Sequence, residues 1–144
     1  MNKRLLVIIP DRLSVLINKG EVVPRYYNPG NLFNEVHIMM TNDDKPDSRL
    51  VNPMVGDAKL IIHNFPPPAH FFRNTVGWQP FLMEKWVKGF LNLVSKINPS
   101  LIRTHNNFLE GFLASRAKKQ LRVPFVTSLH GVWDVDDLGS IKSK

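Results

Sequence analysis

The sequence contains no cysteine. That excludes a disulfide framework, a thiolate metal site and a cysteine nucleophile, and it is compatible with a reducing compartment. Long apolar runs are missing too. The longest early run, Leu5 to Ile9, follows Lys3 and Arg4 in the manner of a signal peptide. It stops at Pro10-Asp11-Arg12, short of an h-region, and no small-residue cleavage site follows. Nothing approaches the roughly 20 apolar residues of a membrane span, so the expectation is a soluble, cytoplasmic protein. Acidic residues are in deficit: twelve Asp and Glu against nineteen Lys and Arg leave a formal charge of +7. Such an excess favours anionic partners, whether phosphate-bearing ligands, nucleic acid or anionic lipid. The basic residues are scattered, however, and nowhere interleave with aromatics as in single-strand binders, so no nucleic-acid partner is expected.

Several motifs are lacking as well. There is no G-x-G-x-x-G, no G-x-x-x-x-G-K-[ST], no H-E-x-x-H and no G-x-S-x-G. Dinucleotide binding, P-loop phosphate transfer, a zinc-protease helix and a serine elbow thus lose their main sequence support. A zinc site built from His63, His105 and His130 is disfavoured because they lie far apart in sequence and no carboxylate accompanies them at ligand spacing, so no metal is expected.

What is present is the composition of a folded domain, 43% hydrophobic and 22% charged. Leu5–Ile9 is a continuous apolar run, the mark of a strand covered on both faces. Further strands are predicted at 35–41, 59–63, 101–105 and 125–129. Between them the period changes. Leu82, Trp86, Phe90, Leu93, Val94 and Ile97 recur at helical spacing over 81–97, with Glu84, Lys85, Lys88, Asn92, Ser95 and Lys96 opposite. A second helix is predicted over 108–121, its apolar stripe formed by Phe108, Leu109, Phe112, Leu113 and Ala117. Trp78, Trp86, Phe71, Phe72 and Phe81 are expected to be mostly core. The stretch 65–81 and the basic helix after it leave room for contact with a membrane surface. Residues 11–34, broken by Gly20, Pro24, Pro29 and Gly30, admit only a short helix.

Strand and helix alternation from 59 to 129 predicts an α/β fold, a Rossmann-like three-layer domain with a mainly parallel sheet of about five strands. In such sheets ligands bind beyond the carboxyl ends of the strands. Three of the five histidines, His63, His105 and His130, stand at predicted strand ends. His105 and His130 are the functional candidates, each between a buried strand and a polar or glycine-containing turn. For His63 a plain hydrogen bond to a loop carbonyl competes evenly. Lys19-Gly20-Glu21 offers a glycine whose backbone can approach a phosphate, flanked by a cation and a carboxylate. A surface turn explains it equally well.

Lys19-Gly20-Glu21, the stretch Arg25-Tyr26-Tyr27-Asn28-Pro29-Gly30-Asn31-Leu32-Phe33-Asn34-Glu35-Val36-His37, Thr104-His105-Asn106 and Ser128-Leu129-His130-Gly131 together resemble the amino-terminal domain of family-four glycosyltransferases. These are retaining enzymes of the GT-B fold, in which two Rossmann-like domains face each other across a cleft. The similarity runs from Leu5 to about Asp134. It implies an acceptor-side domain over 1–134 and a frayed tail over 135–144. It also implies transfer of a sugar from a nucleotide-sugar to a glycan or lipid-linked acceptor, as in polysaccharide biosynthesis, with no metal and no resident cofactor. His130 would lie near the transferred sugar as the catalytic candidate, with Gly131 beside it. Lys19, Gly20 and Glu21 would approach donor phosphates or acceptor, and His105 and Asn106 would line the acceptor side. The chemistry requires stabilising the departing diphosphate and holding the acceptor hydroxyl in line. The main donor-binding groups of the family lie in a carboxy-terminal domain that these 144 residues do not include. The chain alone is therefore expected to transfer no sugar, and to act as a partner of that second domain at the cytoplasmic face of a membrane. The alternative is a free-standing Rossmann-like module that binds a phosphorylated ligand or a partner protein.

Overall fold

The structure, a computed structural model, describes residues 2–68 and 80–129. Five strands are formed: β1 (Arg4–Ile9), β2 (Glu35–Met40), β3 (Lys59–Asn64), β4 (Leu101–Thr104) and β5 (Phe125–Thr127). All pair in parallel, in the order β3-β2-β1-β4-β5. The chain winds outward from β1 to β3, then returns through α3 (Pro80–Ile97) to β4 on the other side of β1. The order therefore reverses between β1 and β4. Right-handed crossovers then place helices on both faces, which gives a Rossmann-like α/β domain of three layers.

Each face buries its own core. Leu6, Ile8, Met39 and Ile102 pack against α3 and α4 (Leu109–Leu121). Leu5, Val7, Ile9, Val36, Ile38 and Met40 pack against Leu13 of α1 (Leu13–Asn18), Val51 of α2 (Ser48–Val51) and the turns around them. β1 is buried on both faces from Leu5 onward, which is why its sequence is apolar without alternation.

On α3 the expected stripe is the buried one: Trp86, Phe90, Val94 and Ile97 are covered, and the six polar positions named above are exposed. Phe81, expected in the core, is exposed. Phe71, Phe72 and Trp78 lie outside the described residues.

The period of α4 is as predicted, but its phase differs. Glu110, Gly111, Leu113, Ala114 and Ala117 face the sheet, while Phe108 and Phe112 point outward. Small residues let this helix approach closely: a Cβ on Gly111 would come within 3.3 Å of the Asn106 carbonyl oxygen. Glu110 is drawn inward by the Thr41 hydroxyl, which donates to its carboxylate at 2.8 Å. Among the described residues no helix is long and apolar enough to cross a membrane.

Candidate functional site

The rim at the carboxyl ends of the strands is built differently on its two sides. On the β1–β2–β3 side, short amide side chains tie the loops together. Asn42 Nδ2 donates to the carbonyls of Pro10 (2.9 Å) and Asp11 (3.0 Å), and Asn64 Nδ2 donates to those of Asn42 (3.0 Å) and Asp44 (2.7 Å). Asp44 in turn caps α1, accepting from the Ser14 amide at 2.9 Å and its hydroxyl at 2.5 Å. Burial acts to raise the Asp44 pKa, but these two bonds, together with the Arg12 charge and the Lys45 amide, outweigh it and hold the carboxyl below its ordinary value.

On the β1–β4 side, where the strand order reverses, the rim is aromatic. The His105 amide donates to the Ile8 carbonyl at 3.0 Å, which extends the ladder one residue beyond β4. Its imidazole lies edge-on to Tyr26, with centroids 5.5 Å apart, and tilted against Tyr27 at 5.3 Å. Tyr27 is buried; burial and then the charge of Asp11 drive its phenol well above the usual range, so it stays a neutral hydroxyl. Arg103 reaches across from β4 and donates to the Tyr26 carbonyl (3.1 Å) and the Ser128 hydroxyl (3.3 Å), its guanidinium 5.7 Å from the Tyr26 ring centroid. The Thr104 hydroxyl donates to the Asn106 carbonyl at 3.1 Å and lies 3.0 Å from that of Thr127, fixing the turn that follows β4.

Two of the residues selected from sequence meet at this reversal point, His105 and Asn106. His105 is not open to the crevice: its ring is only 5% exposed, walled by the two tyrosines. In this turn Asn106 is half-buried, its Oδ1 accepting from the Asn107 amide at 2.8 Å, and Asn107 is exposed. Lys19, Gly20 and Glu21 lie elsewhere, exposed at the end of α1 remote from β1, about 9 Å of helix from its start. Gly20, at φ +72°, ends that helix: its amide donates to the Ile17 carbonyl and the Glu21 amide to that of Leu16. The residues that directly follow β1 are Pro10, Asp11 and Arg12. His63 lies within β3 and bonds to His37 rather than to a loop carbonyl. His130 and Gly131 lie outside the described residues.

Sequence reasoning missed Tyr26, Tyr27, Arg103 and Glu110 as parts of this edge. Tyr26 and Tyr27 come from a stretch with no periodicity, and Arg103 interrupts an apolar strand. That interruption was a visible signal, as was the place of Tyr26 and Tyr27 in the stretch that carries the family resemblance. Among the described residues there is no cluster of three or more His, Asp or Glu able to hold a metal ion.

No family model and no curated protein matches the sequence. Among solved structures the chain is similar to the C-terminal domain of a hydrogenase from Pyrococcus furiosus, with 12% identity over 90% of this chain and 92% of that one and a TM-score of 0.49. The α/β assignment rests on the sheet itself, and that likeness carries nothing about activity.

Proposed function

We propose that the chain is the acceptor-side domain of a nucleotide-sugar-dependent glycosyltransferase, inactive alone and completed by a second, donor-binding Rossmann-like domain. The observation that carries this reading is the coincidence of the Thr104-His105-Asn106 motif with the point where strand order reverses, the place where parallel α/β sheets bind ligands. There Asn106 and Asn107 supply amides able to hold sugar hydroxyls. His105, buried between Tyr26 and Tyr27, acts as a positioning residue for that turn. Arg103 locks the tyrosine segment to β4 and β5. His130 remains the candidate nearest the transferred sugar, and Lys19, Gly20 and Glu21 remain candidates for phosphate or acceptor contact. The formal charge of +7 suits a diphosphate-bearing donor and a peripheral position at an anionic membrane surface. The reading needs neither a metal nor a resident cofactor.

The test is release of nucleoside diphosphate from UDP-glucose and GDP-mannose. It is measured for the 144-residue chain alone and together with the polypeptide encoded immediately downstream of Lys144. The chain alone is expected to release none and the combination to turn over. Asn106→Ala in the combination should lower kcat/KM about tenfold or more, the worth of one well-placed hydrogen bond. Turnover by the 144 residues alone would refute the proposal, as would an unchanged kcat/KM in the Asn106 variant. Saturable binding of a phosphorylated ligand by the chain, with no turnover in any combination, would favour the free-standing module.

A further inference from the structure

On the α3–α4 face of the sheet, β2 and β3 bring a carboxylate and two imidazoles together. Strand alternation puts Glu35 and His37 on the face that carries Met39, and His63 stands in register beside Met39 on the neighbouring strand. His37 Nε2 is 2.8 Å from Glu35 Oε1, and His37 Nδ1 is 2.8 Å from His63 Nε2. The ring planes are 7° apart and the centroids 5.1 Å apart. Nearly parallel planes cannot be further apart than their nearest atoms, and 2.8 Å is too close for face-to-face stacking. The imidazoles therefore meet edge to edge, with the hydrogen bond in their common plane. His37 is buried and His63 half-buried.

This geometry dictates a proton count. An ionised Glu35 only accepts, so His37 donates from Nε2. In the neutral pair His37 Nδ1 is then a lone pair, and His63 donates to it from Nε2. One added proton fits, either on the free nitrogen of His63 or on His37 with His63 turned acceptor. A second does not fit, because both nitrogens of the 2.8 Å contact would carry hydrogen. We propose that Glu35, His37 and His63 form a one-proton latch that holds the edge strand β3 to the sheet near neutral pH and releases it in acid. This inference is independent of the proposed glycosyl transfer.

The charged groups facing the latch are Arg4 from β1, 3.0 Å from Glu35 Oε1, and Lys59 from β3, 3.9 Å from Oε2. Among the described residues no ionisable side chain of α3 or α4 bonds to the three. The His37 hydrogen bond, followed by the charges of His37, Arg4 and Lys59, holds Glu35 below its ordinary pKa against the opposing effect of burial. Burial, then the charge of His37, holds His63 below its ordinary 6.5. When β3 is open, His63 takes its proton near 6.5; when closed, only at lower pH. Opening therefore gains protons and becomes easier as pH falls below 6.5. Glu35 bears on global unfolding rather than on this opening, because His37 and Arg4, which lower its pKa, lie on β2 and β1: its contribution is present above its ordinary value of 4.5 and lost as pH falls through the folded value. Asn64, the residue after His63, ties β3 to the loop that caps α1, so release reaches the rim.

Amide hydrogen exchange tests the latch, with protection of residues 60–64 compared with residues 5–9 between about pH 7 and pH 5.5. The ratio is expected to fall toward the limit of about tenfold per pH unit set by one proton. His63→Gln keeps an amide donor for His37 Nδ1 but does not titrate, so it should retain protection at neutral pH and flatten the pH dependence. His63→Ala should lose β3 protection already at neutral pH. Should the alanine variant fail to fold, imidazole nitrogen spectra of the unmodified chain carry the test: His63 should take up its proton below its ordinary 6.5. Titration of His63 at or above its ordinary 6.5, parallel changes in β3 and β1, or an undiminished pH dependence in His63→Gln would each overturn the proposal.

Discussion

The two faces of the sheet are held by different physics. One is covered by α3 and α4, long helices whose apolar stripes bury Trp86, Phe90, Val94, Leu113 and Ala117. The other is covered by α1 and α2, too short to be stable on their own, and by turns at 19–34 and 52–58. Those turns are fixed by buried polar contacts. Asn28, fully buried, donates to the carbonyls of Phe33 (3.1 Å) and Val55 (3.0 Å) and accepts from the Phe33 amide at 3.1 Å. Gly56 sits at φ +67°, ψ −129°, and a Cβ there would collide with the Asn31 side chain. At its apolar centre the helix-covered face tolerates imprecise polar chemistry because burial is non-directional, and its directed bonds, Glu35–His37–His63 and Thr41–Glu110, belong to β2, β3 and the start of α4. A turn-covered face depends on individual donors and acceptors, since each orphaned one costs its desolvation.

The sharpest way to test that contrast is to damage each face at its centre. Phe90→Ala empties the middle of the helical face and should cost about 3–5 kcal/mol in urea unfolding. The loss should be graded, with Phe90→Leu recovering most of it, because volume rather than geometry is what that face needs. On the turn face, Asn28→Ala should cost about 2–3 kcal/mol, and Asn28→Asp should not rescue it despite equal size, because the two donated bonds are gone. Recovery by aspartate would erase the distinction between the faces. The smallest expected effect is at the α1 cap: Asp44→Ala should cost about 1 kcal/mol at neutral pH. Because the native carboxyl is held below its ordinary 3.8, its contribution is present above that pH and disappears as pH falls through the native value. Variant and parent should therefore converge in acid unfolding curves.

The helical face could be read in advance for the same reason that it is robust. Period-3.6 stripes and unbroken apolar strands report burial averaged over many residues, and all five strands and both long helices were visible from them, with ends displaced by one or two residues. The phase of α4 was the exception. There the bulky Phe108 and Phe112 suggested the wrong stripe, because the buried side of α4 carries the small Gly111, Ala114 and Ala117, with Gly111 close against the Asn106 turn. The turn face was nearly opaque, since Arg25 to Asn34 has no period and its order comes from partners about 27 residues away, as in the Asn28–Val55 bond. The candidate site divides along the same line. His105 and Asn106 were identifiable at a strand end, whereas Tyr26, Tyr27 and Arg103, which wall and anchor that turn, were not.

The order of apolar and amphipathic segments by itself determined a parallel α/β sheet, with charge and motif absences narrowing its chemistry, because these properties are local and repeat along the chain. Which residues face one another was decided only in three dimensions. His105 shut between two tyrosines, Glu110 turned inward to Thr41, and His37 sharing a proton with His63 all arise from strand register and helix approach. Those are set by contacts between segments distant in sequence, and no local pattern encodes them.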